Sequence, residues 1–319
     1  MEIISIKFFV FVIAEIVIFT VLALAIVELL GKWLYIPGMT DTSSNSFYSQ
    51  KKDTIDVLFI GNCHCYSTFR PSKIKEKTGL NSYVFACPNL NSQGSYYYFK
   101  TALKTQHPKY AIIETFPFNI YDSYVEESTI LPYTYSCAMD LPIVERIKYA
   151  LDTRKSDKFG YWTDYIFGLS EFHDNWTENN LFMMTQTSMD NGFVKCPHDD
   201  PLDKPDELVN VLETNETEIL DAEYLDYFYK IIQLAKEENI ELIFVEVPYL
   251  SMHESEAKRN NYLREEAEKN GYRFLNLVDN DLLNELNFTR DCMMDYDHVN
   301  LKGAEILTTY LAKYIETNY

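Results

Sequence analysis

The sequence predicts an α/β fold, a three-layer α/β/α sandwich with a mostly parallel sheet of five strands, preceded by a membrane-spanning helix. Short apolar runs rich in β-branched residues alternate with longer amphipathic segments in both halves of the chain. This alternation is typical of right-handed crossovers between parallel strands. The first thirty residues are almost wholly apolar, which sets them apart from the rest.

The apolar start of the chain predicts a transmembrane anchor. Only Glu15, Thr20 and Glu28 interrupt the run at 8–30, and about 20 apolar residues cross the hydrocarbon core of a bilayer. The run is longer than the usual core of a signal peptide. We therefore expect an uncleaved anchor at 1–32, with the lipid bilayer as its partner.

A tether and one globular domain follow the anchor. Proline, glycine and a cluster of Thr, Ser and Asn predict a tether at 33–52. The remainder, 53–319, fits one α/β domain with an irregular insertion at about 121–221. Because the insertion is rich in aromatic residues, we expect an ordered cap. More lysines follow the anchor than precede it, which alone would place the domain on the cytoplasmic side.

The elements of the domain are expected in a regular order. Strands are predicted at 55–60, 82–86, 111–115, 241–247 and 272–277, in the flavodoxin-like order 2-1-3-4-5. Helices are predicted at 71–78, 92–106, 143–152, 221–238, 255–269 and 301–315. Gly79 is a typical residue for ending the first of these helices, and Asn300 for capping the last.

Composition excludes some classes of function. A net charge of −20 argues against nucleic acid as a partner, because phosphate binding requires clustered lysine and arginine. The six cysteines show neither the density of a disulfide framework nor the paired spacing of a zinc site. We expect no metal and no organic cofactor.

Two short motifs carry the predicted chemistry. The first strand ends at Gly61, and Cys63 and His64 follow on the carboxyl edge of the sheet, where open α/β folds place their active sites. Far downstream, Asp295 and His298 supply a carboxylate and an imidazole just before the last helix. Together they suggest a nucleophile, a base and an orienting acid. Asp297 is expected to be a solvent-facing neighbour.

The motifs Gly61-Asn62-Cys63-His64 and Asp295-x-x-His298 together resemble those of the SGNH/GDSL hydrolase superfamily. The likeness is to its membrane-anchored bacterial branch, which includes proteins that acylate or deacylate cell-envelope polymers. It covers roughly 53–118 and 225–317. It implies that Cys63 replaces the family's nucleophilic serine, that His298 is the base and that Asp295 orients it. It also implies a domain outside the cell.

The resemblance implies three oxyanion donors: the nucleophile's own N–H, a glycine after the second strand and an asparagine after the third. Gly94 or Asn89 could serve after the second strand. Glu114 stands where the asparagine is expected, and a carboxylate there would oppose a developing oxyanion unless it is protonated or turned away. Glu114 is either a loop anchor or a substrate contact. His64 is expected to steady the loop or the substrate.

The leading hypothesis is a membrane-anchored acyl hydrolase or O-acyltransferase that acts on a cell-envelope glycan or a related polymer through a Cys-His-Asp triad. A cell-envelope polysaccharide or an acyl-donor protein would be its partner. The alternative is an inactive scaffold or polymer-binding protein of the same fold. A third hypothesis, a thiol redox or sensor protein, would use Cys63 and Cys65.

Overall fold

The chain folds into an α/β domain with an all-parallel sheet of five strands, preceded by an apolar helix. The computed structural model describes residues 2–34, 46–88, 90–119, 141–153, 167–169, 173, 190–195 and 202–318. The sheet order is β2-β1-β3-β4-β5, as the sequence predicts. The strands are β1 (Val57–Gly61), β2 (Ser82–Ala86), β3 (Tyr110–Glu114), β4 (Glu241–Glu246) and β5 (Arg273–Asn276).

Helices precede, connect and follow the strands. They are α1 (Glu2–Leu34), α2 (Cys63–Thr68), α3 (Pro71–Thr78), α4 (Ser92–Ala102), α5 (Ile143–Thr153), α6 (Ala222–Glu237), α7 (Glu254–Lys269), α8 (Asn280–Glu285) and α9 (Leu301–Asn318). The predicted helices are all present, although α4 ends four residues earlier than expected and α9 runs three residues further.

Apolar side chains pack on both faces of the sheet because successive strand residues point to opposite sides. Leu58 and Ile60 of β1 pack in one cluster with residues of α4 and α6. Val57 and Phe59 pack in a second cluster with residues of α3 and α9. The carboxyl ends of all five parallel strands therefore share one edge, with helices on either side.

Two short helices, α2 and α8, were not predicted, because six residues are too few to show a helical repeat of apolar positions. The error matters for Cys63 and Cys65. Both residues belong to α2. A side-chain cap from Asn62 favours the helical turn over the loop.

The segments predicted as anchor and tether differ in detail from the prediction. Within α1, Ile6–Gly31 is apolar and long enough to cross a membrane. Phe47, which the sequence assigns to the tether, is buried in the domain and stacks on Phe85 with ring centroids 4.2 Å apart. Most of the predicted cap, 121–221, lies outside the described residues; the parts that the structure describes include α5 and the stretch 202–221.

Candidate active site

A close approach between β1 and β3 explains the glycine before the predicted nucleophile. A Cβ atom at Gly61 would lie 2.7 Å from the Cβ of Glu114 and 2.6 Å from the Cβ of Cys65. Neither neighbouring atom belongs to the far end of a flexible side chain. Gly61 is therefore required by packing at the junction of β1 and α2.

Asn62 fixes the start of α2 and thereby the position of Cys63. Its Oδ1 accepts the N–H of His64 at 3.0 Å, a typical N-cap hydrogen bond. Cys63 becomes the first residue of the helix and is partly exposed. The Nδ2 atom of Asn62 is buried and has no hydrogen-bond partner among the described residues. The capping role of Asn62 was not predicted, although asparagine ahead of a short helix is a recognisable cap signal.

His298 lies on a tight loop whose ends are joined before α9. Met293 and Val299 form an antiparallel bridge, and the N–H of Met294 donates to the His298 carbonyl at 2.8 Å. The predicted cap at Asn300 is confirmed, since its Oδ1 accepts the N–H of Lys302 at 2.9 Å.

Asp295 holds the imidazole of His298 in a defined orientation. Its Oδ1 accepts the N–H of Asp297 and the N–H of His298, each at 2.7 Å. Both carboxylate oxygens lie 3.0 Å from Nδ1 of His298. This arrangement favours the tautomer that carries its proton on Nδ1, and it leaves Nε2 available to exchange a proton with a nucleophile.

The two distant motifs converge. A ring nitrogen of His64, a ring nitrogen of His298 and Sγ of Cys63 all lie within 4.8 Å of one another. The same three atoms could hold a metal ion. Two ligands of a tetrahedral zinc ion are only about 3.5 Å apart, so donors at the outer limit of this spacing would have to move inward to share one ion.

His64 is enclosed by aromatic rings. Its ring centroid lies 4.2 Å from that of Phe116, 5.0 Å from that of Tyr249 and 5.5 Å from that of His298. Burial, and then the charge of His298, lower the pKa of His64 well below its usual value. His64 is thus a neutral ring beside Cys63 and His298. Phe116 and Tyr249, which sequence reasoning missed, follow the carboxyl ends of β3 and β4, a position that could have indicated them.

Glu114 acts as a loop anchor. Its Oε2 accepts the N–H of Asn62 at 3.3 Å and its Oε1 accepts the N–H of Phe116 at 2.7 Å. The residue is only 1% exposed, and burial raises the pKa of its carboxyl group to about 8. At neutral pH it is therefore mostly protonated, which removes the charge that would oppose an oxyanion.

Of the two oxyanion donors expected after β2, Gly94 has its N–H in another hydrogen bond and Asn89 is not among the described residues. The N–H of Gly94 donates to Oδ1 of Asn91 at 2.8 Å, where Asn91 caps α4. This bond occupies the donor that the resemblance assigns to the oxyanion. Asn89 lies outside the described residues.

Cys65 is poorly suited to a redox pair with Cys63. It is fully buried, and burial, followed by the nearby charge of Glu114, raises the pKa of its thiol well above the usual value. Both residues are present as thiols, and residues two apart on a helix point in different directions.

Comparison with protein-family models finds no match to this chain. Comparison with the sequences of curated proteins finds none either.

Proposed function

We propose that this protein is a membrane-anchored acyl hydrolase or O-acyltransferase of the SGNH type, with Cys63 as its nucleophile. The observation that supports it most is the meeting of Cys63 with His298, whose Nδ1 lies 3.0 Å from both oxygens of Asp295. A nucleophile, a base and a residue that orients the base are the parts that acyl transfer needs.

The reaction has two balanced halves. Sγ of Cys63 attacks the acyl carbonyl while its proton passes to Nε2 of His298, and the C–O bond to the leaving alcohol then breaks as His298 returns that proton to the alkoxide. The product is a thioester on Cys63. Water or an acceptor hydroxyl next attacks the thioester, losing its proton to His298, and the thiol is regenerated with an acid or a new ester as product.

The substrate class and location rest on the resemblance. It supports an acyl ester on a cell-envelope glycan or related polymer and a domain on the outer side of the membrane. Helix α1 supports single-pass anchoring through its length and apolar character. The net charge of −20 favours a neutral or cationic polymer over an anionic one.

The proposal is tested by incubating the full chain in detergent with p-nitrophenyl acetate and mapping acetylated peptides by mass spectrometry. We expect one acetyl group, on Cys63, and none in Cys63→Ala. His298→Ala should slow acetylation by about 10²–10⁴-fold. His107→Ala is the matched control, since this exposed histidine pairs with Asp53 outside the site. A Cys63→Ala protein that releases nitrophenol at the wild-type rate would refute the assignment.

An inactive scaffold of the same fold is the second candidate. Its support is the Gly94 N–H, which is engaged by Asn91, and the absence of the family's asparagine at Glu114. Wild-type protein that stays unmodified by p-nitrophenyl acetate, yet binds an envelope glycan, would favour this candidate.

A further inference from the structure

Helix α5 turns an apolar face to solvent. Ile143, Val144, Ile147 and Leu151 are 43%, 57%, 36% and 46% exposed. At 3.6 residues per turn these four side chains lie within one stripe of about 100° along the helix. Scattered exposed apolar residues are normal on a protein surface, but a continuous stripe marks a contact with something apolar.

The opposite face of α5 is fixed to the domain, so the direction of the stripe is set. Glu145 is buried and forms an ion pair with Lys104 at 2.7 Å. The ring of Tyr149 packs edge-to-face on Tyr97 of α4, with centroids 5.6 Å apart. The stripe cannot turn inward without breaking these contacts.

The same helix is joined to the membrane anchor. Arg146 of α5 is fully buried and forms an ion pair with Glu28 of α1. Glu28 lies in the last turn of the apolar segment Ile6–Gly31, and a Cβ at Gly31 would lie only 2.8 Å from the backbone nitrogen of Leu169. Trp33, which follows, is 65% exposed, as is typical of aromatic residues at a membrane surface.

We propose that α5 is an interfacial helix that rests on the lipid bilayer and inserts Ile143, Val144, Ile147 and Leu151 among the acyl chains. Lipid is the occupant that the contacts favour, because Arg146 holds the helix against the end of the membrane-crossing segment. Only about 20 residues are needed to cross the hydrocarbon core, so this end of α1 lies at the bilayer surface. The proposal does not depend on the acyl chemistry.

The docked helix would bring the carboxyl edge of the sheet near the membrane. The hydroxyl of Tyr149 lies 3.5 Å from Oδ1 of Asn91, the cap of α4 that follows β2. Arg146, which contacts α1, and Tyr149, which contacts Asn91 at the predicted active edge, are thus about one turn apart on α5.

The test measures lipid contact directly in the full chain. Ile147→Trp is reconstituted in phosphatidylcholine–phosphatidylglycerol vesicles with or without bromine on the acyl chains, and the wild-type fluorescence is subtracted. We expect the added tryptophan to emit at a shorter wavelength than a tryptophan exposed to water. We also expect brominated lipid to quench most of its emission.

Leu208→Trp is the matched control, because Leu208 is equally exposed at 37% and pairs with Thr289 on the α9 side of the domain. Its tryptophan should be unaffected by bromine and quenched by aqueous iodide. Equal behaviour of the two variants overturns the proposal. So does a shielded tryptophan at 147 that bromine leaves unquenched, because a protein partner or a second copy would then cover α5.

Discussion

At the scale of single residues, burial decides what the acidic groups at the sheet edge can do. Glu114 and Glu246 end neighbouring strands, and burial raises the pKa of each carboxyl group to about 8. The carboxyl oxygens of Glu114 accept hydrogen bonds from two backbone N–H groups, and Glu246 accepts one from Asn260. Glu114 holds the backbone beside the site and Glu246 contacts α7, both as mostly neutral groups.

This protonation predicts an unusual pH dependence of stability. A carboxyl pKa that is higher in the folded state than in the unfolded state makes folding take up a proton. The resulting stability is complete below about pH 4.5 and is lost as the pH rises to about 8. We expect the free energy of unfolding of the full chain in detergent, measured with urea, to fall steadily between pH 5 and pH 8.5.

Glu246→Gln is the variant that isolates one of the two groups, because the amide oxygen can still accept from Asn260. The variant should lose less free energy of unfolding than the wild type between pH 5 and pH 8.5, by on the order of 3 kcal/mol. Glu238→Gln, at the exposed end of α6, serves as control and should leave the slope unchanged. A wild-type protein that gains stability over this interval would contradict the assigned protonation.

At the scale of elements, the turn from β1 into α2 depends on one glycine. Gly61→Ala should cost more than about 2 kcal/mol of stability, because the new Cβ meets Cβ atoms of Glu114 and Cys65 at under 3 Å. It should also abolish acetylation of Cys63 by displacing α2. Both effects can be measured by urea unfolding and by the p-nitrophenyl acetate assay.

Gly79→Ala is the matched comparison. Gly79 ends α3 with φ of +75°, and nothing lies within 4 Å of an added Cβ. Its substitution should cost about 1–2 kcal/mol through backbone strain alone and leave Cys63 reactive. Equal loss of acetylation in both variants would show that general destabilisation, rather than displacement of α2, explains the effect.

The sequence predicted the strands well, whereas the roles of the site residues stay a prediction. Each strand shows a compact apolar run bounded by turn residues, and the spacing from Asp295 to His298 already specified their hydrogen bond. The engaged N–H of Gly94 could not be predicted, because it depends on a cap that competes locally with other conformations. The helical setting of Cys63 was missed because the six residues of α2 are too few to show a helical repeat of apolar positions. The protonation of Glu114 depends on burial by distant segments, which no local pattern records.

At the scale of the whole molecule, helix α1 and the domain are connected by more than the peptide chain. Glu28 and Arg146 pair between α1 and α5, and Arg146 is fully buried. Removing one partner from such a pair leaves an uncompensated charge, whereas removing both is close to neutral.

Arg146→Met should therefore lower the free energy of unfolding in detergent by about 3 kcal/mol, and the double variant Glu28→Gln, Arg146→Met should recover most of that loss. A surface control is Lys258→Met, which breaks an ion pair with the exposed Glu216 and should leave the free energy of unfolding nearly unchanged. If the effects of Glu28→Gln and Arg146→Met on the free energy of unfolding are additive, the pair does not couple α1 to the domain.

The stacking of Phe47 on Phe85 limits how far the domain can travel. From Leu34, the last residue of α1, to Phe47 there are thirteen peptide links, and a fully stretched chain spans at most about 45 Å over that length. Even with the ion pair open, Phe47 and the domain stay within this distance of the end of α1. Under the proposed function, a polymer that carries the acyl group would have to come within this span plus the width of the domain from the bilayer surface.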